Sequence, residues 1–250
     1  MTQQMTVDID GDGEQQRFAT ITDEGVELLR RAIGVPIADT VEPWCYEATR
    51  DNIRHYAHGI GDDNPLWCDP EYAETGPYGT LVAPPSFVFA LSRILSGYVG
   101  GLPGVHAMWA GADLHWHQPI RRGTEVTAKA YLKDLVEHQT RFAGRAFQQI
   151  YHVELSSSSG DLLCEGDSWC FRTERDTARE QGTKYDDVKE RPRAPYTEAE
   201  LREIYSQYEH EEVRGAQPRY FEDVRVGDGL PTLVKGPMTD RKSTRLNSSH

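Results

Sequence analysis

Tyr56-Ala57-His58-Gly59-Ile60-Gly61-Asp62-Asp63-Asn64-Pro65-Leu66-Trp67-Cys68-Asp69-Pro70-Glu71-Tyr72-Ala73 joins two short helical patterns through a loop that neither helix can continue. Upstream, Thr49 offers an N-cap oxygen and Asp51 an acid for the first turn of a helix reaching Ala57. From Gly59 to Pro65, glycines, acids, an asparagine and a proline favour turns. Asp69-Pro70-Glu71 then reads as a fresh start: a cap, a proline at the first helical position and an acid behind it. That second helix is expected to end by Gly76.

Downstream, Pro84-Pro85 interrupts the chain again, and Ser86 to Val99 follows with Phe87, Val88, Phe89, Ala90, Leu91, Ile94, Leu95, Tyr98 and Val99. A helix apolar nearly all round must be buried. Four segments can wrap it: Val105–His117, Thr124–Glu137, Arg141–Ser156 and Asp161–Arg172 all read as long strands. The second alternates most clearly, with Val126, Ala128, Ala130 and Leu132 on one face. Gly160-Asp161 closes a hairpin turn. The layout is α+β, an antiparallel sheet curled around one long helix. Before the loop, Glu24–Ile33 reads as a short amphipathic helix.

Bulk properties exclude several functions. The chain has 250 residues and a net charge of -13, so nucleic acid and anionic membrane are repelled. No apolar run approaches ~20 residues, which argues against a membrane-spanning helix. Met1 to Gln16 is polar and acidic, unlike a signal peptide. The four cysteines form no Cys-x-x-Cys pair, so a reduced, metal-free, cytoplasmic protein is expected. Asp8, Asp10 and Asp12 imitate the start of a calcium loop, but its twelfth position is Ala19 where a bidentate Glu is needed.

Residues 1–17 are therefore expected to form a disordered tail and 18–173 one domain. A charged, proline-containing linker is expected at 174–218, holding a helix at 197–212 with a Thr197/Glu200 capping box. Residues 219–239 read as strand and turn without partners, the beginning of a second, truncated domain. Residues 240–250 show no apolar pattern and match the translation of a common sequencing adapter. They are set aside as an artefact, and the native chain is expected to break off at Thr239, inside a domain.

The Tyr56–Ala73 stretch resembles the hydratase signature of the MaoC-like family. There an aromatic and a Gly precede Gly-Asp-x-Asn-Pro-aliphatic-His, and an Ala follows on the next helix. Leu81–Phe87 and Trp116–Gly123 resemble segments of its N-terminal, fatty-acid-synthase-type dehydratase subgroup. Tyr220–Val224 with Val226-Gly227-Asp228 is similar to the opening of a second unit in two-unit members. The likeness extends over roughly Phe18 to Met238 and implies a hot-dog fold. It also implies hydration of a 2-enoyl thioester, or dehydration of a 3-hydroxyacyl thioester, carried on coenzyme A or an acyl carrier, with no further cofactor.

Such chemistry needs an acid/base pair and donors for an enolate-like oxygen. The resemblance makes Asp62 the candidate catalytic residue, but the histidine position holds Trp67. An indole donates one hydrogen bond and exchanges no proton near neutral pH. The family's His-Gly, whose Gly amide helps hold the thioester oxygen, reads Ala83-Pro84, and proline has no N–H. Candidate substrate-binding residues are Asn64, Trp67, Pro84, Phe87, Arg121 and Arg122; Lys129, Arg141 and Arg145 lie on neighbouring strands and offer further charge for coenzyme A phosphates. Asp62 and Asn64 read either as simply fixing their turn or as the remnant of a site rebuilt with His55 or His58 as base. His115 and His117 alternate on one strand without a third metal ligand.

Three functional readings follow. In one, this unit shapes the acyl pocket of a hydro-lyase whose catalytic half lies in a missing second unit. In the other, it is a non-catalytic acyl-thioester binding subunit paired with a separate catalytic protein. A hot-dog thioesterase is a third. The expected partner is a second hot-dog unit or a second copy in a homodimer.

Overall fold

The computed structural model describes residues 19–37, 42–97, 100–140, 144–174, 195–212, 215, 219–231, 233–234 and 236–237. The expected N-terminal tail, Tyr98, Val99, Arg141, most of the linker, Met238, Thr239 and the adapter-like end lie outside them.

The helix starts read at Thr49 and Asp69 are built as the sequence specifies, and the helix expected at Glu24–Ile33 forms within two residues of those bounds. Helix α1, Asp23–Arg31, is capped by Thr22, whose side chain accepts from the Gly25 amide. Helix α2, Arg50–Gly59, is capped by Thr49 and buries Ile53 and Ala57. Asp69 accepts from the amides of Glu71 and Tyr72 to start α4, Pro70–Glu74. Between them lies an element the sequence reading did not anticipate: Asn64 caps a single turn, α3, at Pro65–Cys68.

Strands β1 (His106–Trp116), β2 (Val126–Thr140), β3 (Gly144–Ser157) and β4 (Leu162–Thr173) form one antiparallel sheet in the order β1-β4-β3-β2. Gly160, at φ 90°, makes the expected β3–β4 turn. On β2, Val126 and Leu132 are buried, as the alternation requires, and a bulge between Leu132 and Asp134 then shifts the inward set to Leu135. Single bridges from Ile33 and Pro36 lie along β2, and Glu47 bridges Glu125 just ahead of it. β1, at the opposite edge, pairs only with β4 among the described residues.

The long central helix is corrected by the structure. Pro85–Phe87 is a 3-10 turn and α5 spans only Val88–Leu91. Ser92 then adopts an extended conformation, φ -143° and ψ 122°. Its hydroxyl accepts from the Leu95 amide at 3.5 Å and its carbonyl from the Ser96 amide at 3.1 Å, so it restarts a looser turn. A buried serine that satisfies backbone groups itself competes with the helix ladder. Burial holds as expected: Phe87, Val88, Leu91 and Leu95 pack with Ile53, Phe147, Val153 and Leu155 in one core.

Arg172 anchors the chain ahead of β1. It is 3% exposed and donates to the carbonyls of Gly100, Gly101, Leu102 and Val105 and to Gln149 Oε1. Its guanidinium has neutral oxygens as acceptors, and burial draws its pKa below the usual value. Further along, Thr197 and Glu200 form the predicted capping box on α6, Glu198–Glu209. Beyond it, Phe221–Asp223 is a 3-10 turn, and no strand forms among the described residues of 219–237. Phe221, Val226 and Leu230 are exposed there. Among the described residues, no helix is long and apolar enough to cross a membrane.

Candidate functional site

The loop after α2 holds itself together. Gly61 takes φ 69°, and the Asp62 amide donates to the Ala57 carbonyl at 2.9 Å. The Asp62 carboxylate accepts from the Asn64 amide at 3.2 Å, and Asn64 Oδ1 from the Leu66 amide at 3.0 Å. Both side chains are thus engaged in setting the turn and starting α3. His55 and His58 are exposed on α2, and His55 Nε2 sits 3.3 Å from Arg54 Nη2. Neither has a hydrogen bond to Asp62 among the described residues. Cys68 Sγ points to the Asp62 carbonyl at 3.8 Å, and burial, with Asp62 and Asp63 nearby, raises its thiol pKa.

Trp67 packs against the core, and its Nε1 is buried without an acceptor among the described residues. It lines a cavity of about 340 Å³ together with Leu66, Tyr78, Val82 to Pro85 and Trp116 to Ile120. Backbone bonds seam the walls: Val82 N to Leu66 O at 3.3 Å and Ala83 N to Ile120 O at 2.8 Å. Trp116 Nε1 closes the side with a 3.1 Å bond to the Pro85 carbonyl. Pro84 is buried in the wall and brings no N–H. Phe87 lies outside the lining, edge-on to Tyr56 at 5.4 Å. The Tyr56 hydroxyl donates to Ser86 O at 2.6 Å, and burial raises its pKa.

Of the sequence-predicted residues, the structure therefore brings Trp67 and Pro84 to one cavity. Asp62 and Asn64 are in the adjoining loop but not in its lining. Arg121 and Arg122 follow Ile120 into an exposed turn, where the Arg122 amide bonds Leu81 O at 2.9 Å. Arg145, offered as a phosphate holder, is committed elsewhere, to Asp23 at 2.6 Å and Glu137 at 2.7 Å. Trp116 and Tyr78 were not among the predicted site residues. Trp116 opens the Trp116–Gly123 segment, but its bond to Pro85 has no local pattern to reveal it.

A second cavity, of about 290 Å³, opens where the central helix breaks. Leu91, Ser92, Arg93 and Ile94 form one side, Ile37, Pro43 and Tyr46 another, and the β2 residues Val126 to Ala128 and Ala130 the floor. On the outer face of the sheet, a shallow groove collects Asp113, His115, His117, Lys133, His152, Glu165 and Asp167. His117 pairs with Glu165 at 2.9 Å, and His152 with Asp167 at 2.8 Å. Burial raises the Asp167 pKa, but hydrogen bonds from Lys133 and His152 outweigh it and hold the carboxylate below its usual value. His115 and His117 are exposed. No group of three or more His, Cys, Asp and Glu among the described residues is placed to hold a metal.

Residues 31–173 match the family model described as FAS1-like, dehydratase domain region. The chain belongs to that family. It is 32% identical over 95 residues to a UPF0336 protein of Streptomyces avermitilis, covering 36% of this chain and 63% of that one. The chain thus spans less than two thirds of that relative's length. It is 30% identical over 141 residues to a UPF0336 protein of Parafrankia sp., covering 53% of this chain and 87% of the relative. A solved structure described as a MaoC-like dehydratase superposes with a TM-score of 0.50 at 22% identity, over 81% of this chain and 61% of that one. The fold is a hot dog.

Proposed function

We propose that this chain is the supporting half of an acyl-thioester hydro-lyase: it shapes the acyl pocket, and a second hot-dog unit moves the protons. The substrate class is a 2-enoyl or 3-hydroxyacyl thioester on coenzyme A or an acyl carrier. The observation that carries the reading is the loop. Asp62 and Asn64 are occupied with their own turn, and residue 67 is an indole, so the loop lacks a paired acid and base. Among the described residues the buried Trp67 N–H has no acceptor, which makes it a donor available to the thioester oxygen. The cavity beside it receives the thioester end, with Arg121 and Arg122 near the phosphates of the carrier. The second cavity, at the helix break, takes the aliphatic end.

The catalytic unit has two possible sources. In one, Arg219–Thr239 begins a second unit of the same polypeptide. The Parafrankia relative favours the other: a match of 141 residues fills 87% of it, leaving no room for a second unit of this size. On that reading the partner is a separate catalytic hot-dog protein. Crotonyl-CoA hydration tests the division of labour. This chain alone should show little turnover, and turnover should appear when a hot-dog unit bearing Asp and His is fused or added. Rapid turnover by this chain alone would refute the assignment.

A further inference from the structure

The second cavity has an unusual wall. Pro43 to Tyr46 crosses the break in the central helix as a strap. Its C-terminal end is fixed to the sheet, since Val126 N donates to Tyr46 O at 2.8 Å and Glu47 bridges Glu125. The other end is held by a small cluster. The amides of Trp44 and Cys45 share one acceptor, Ala90 O, at 3.1 and 3.2 Å. Trp44 Nε1 donates to Ser96 Oγ at 3.1 Å. The Arg93 guanidinium lies over the Trp44 ring, 4.3 Å from its centroid. Every one of these partners belongs to the segment around the break, Ala90 to Ser96. Trp44 is 58% exposed, so little burial holds it down.

We infer that this strap, latched by Arg93 and Ser96 on Trp44, sets the length of aliphatic tail that the site accepts. The inference rests on the acyl-thioester reading above. The first cavity lies at Pro84-Pro85 and the second at Leu91–Ile94, the two ends of the Pro85–Leu91 turns. At 1.5 Å per residue they are about 10 Å apart along that axis. A short tail ends beside α5, whereas a longer one enters the second cavity and meets Pro43 and Tyr46. Its volume, near the lower end of known ligand pockets at about 300 Å³, admits only the tip of a chain while the strap is down. An exposed cation–π contact with one side-chain hydrogen bond is a weak closure, and a long tail can displace it.

Calorimetric titration of the 250-residue chain with hexanoyl-CoA and dodecanoyl-CoA tests this. Trp44→Ala should raise the affinity for dodecanoyl-CoA relative to hexanoyl-CoA by about tenfold, leaving hexanoyl-CoA binding unchanged. Arg93→Met, which keeps the indole and its bond to Ser96, should shift the ratio in the same direction by a smaller factor. It serves as the reading if Trp44→Ala unfolds. If hexanoyl-CoA binds and neither variant moves the ratio, the strap is not the length limit. If the unsubstituted chain binds neither thioester, the acyl-thioester reading itself is overturned.

Discussion

Asp62, Trp67 and Arg172 show how far single residues speak for themselves. The turn-fixing role of Asp62 and Asn64 was legible because an Asx side chain bonds backbone two residues on, a purely local matter. The indole at position 67 was legible as a side chain that exchanges no proton near neutral pH, since its chemistry does not depend on the fold. That its N–H is buried without an acceptor among the described residues was not, because that needs the surrounding core. Arg172 was wholly hidden: on paper it ends a strand. In the fold it gathers four backbone carbonyls and Gln149. Arg172→Met should orphan several of those oxygens, each costing about 1–3 kcal/mol when left buried. We expect a loss of at least about 2 kcal/mol, read as a lower urea midpoint; an unchanged midpoint would mean that the loop ahead of β1 re-forms without it.

At the scale of elements, the strands were readable to within a few residues. Alternation over ten or more positions is a strong signal, and it gave the buried face of β2 correctly up to the bulge. The central helix was not readable. An apolar run reports burial, not continuity, and Ser92 carries too weak a local preference to announce a break. Gly166 is a further constraint that no pattern betrays. It sits on β4 opposite Leu114, and a Cβ there would collide with the Asp113 carbonyl oxygen of β1. Gly166→Ala should destabilise by about 1–3 kcal/mol, as overpacking does. Hydrogen exchange should show the loss concentrated in β1 amides; uniform exchange across the sheet would contradict this.

At the scale of the whole molecule, the sheet has an open edge among the described residues. β1 offers an eleven-residue edge whose one charged side chain at neutral pH, histidines aside, is Asp113, and it leaves Met108, Trp109 and Trp116 exposed. Soluble proteins rarely leave such an edge uncovered. We therefore expect this chain by itself to form a homodimer in sedimentation equilibrium, with a second copy covering that edge. A monodisperse monomer would contradict that expectation. The sequence reading reached this surface only through family resemblance, because an edge is a property of strand order, and strand order is set by contacts far apart in the chain.

That order also fixes a sequence of events in time. β2, β3 and β4 are linked by short hairpins, so their pairing closes small loops quickly. β1 is made first but pairs with β4, across separations of 48 to 67 residues. It must wait until the last strand of the sheet has been synthesised, and it is expected to zip on after the folding transition state. Gly166→Ala should then speed unfolding while leaving the folding rate nearly unchanged. The strand that offers itself to a partner is, on this account, also the last to arrive and the first to leave.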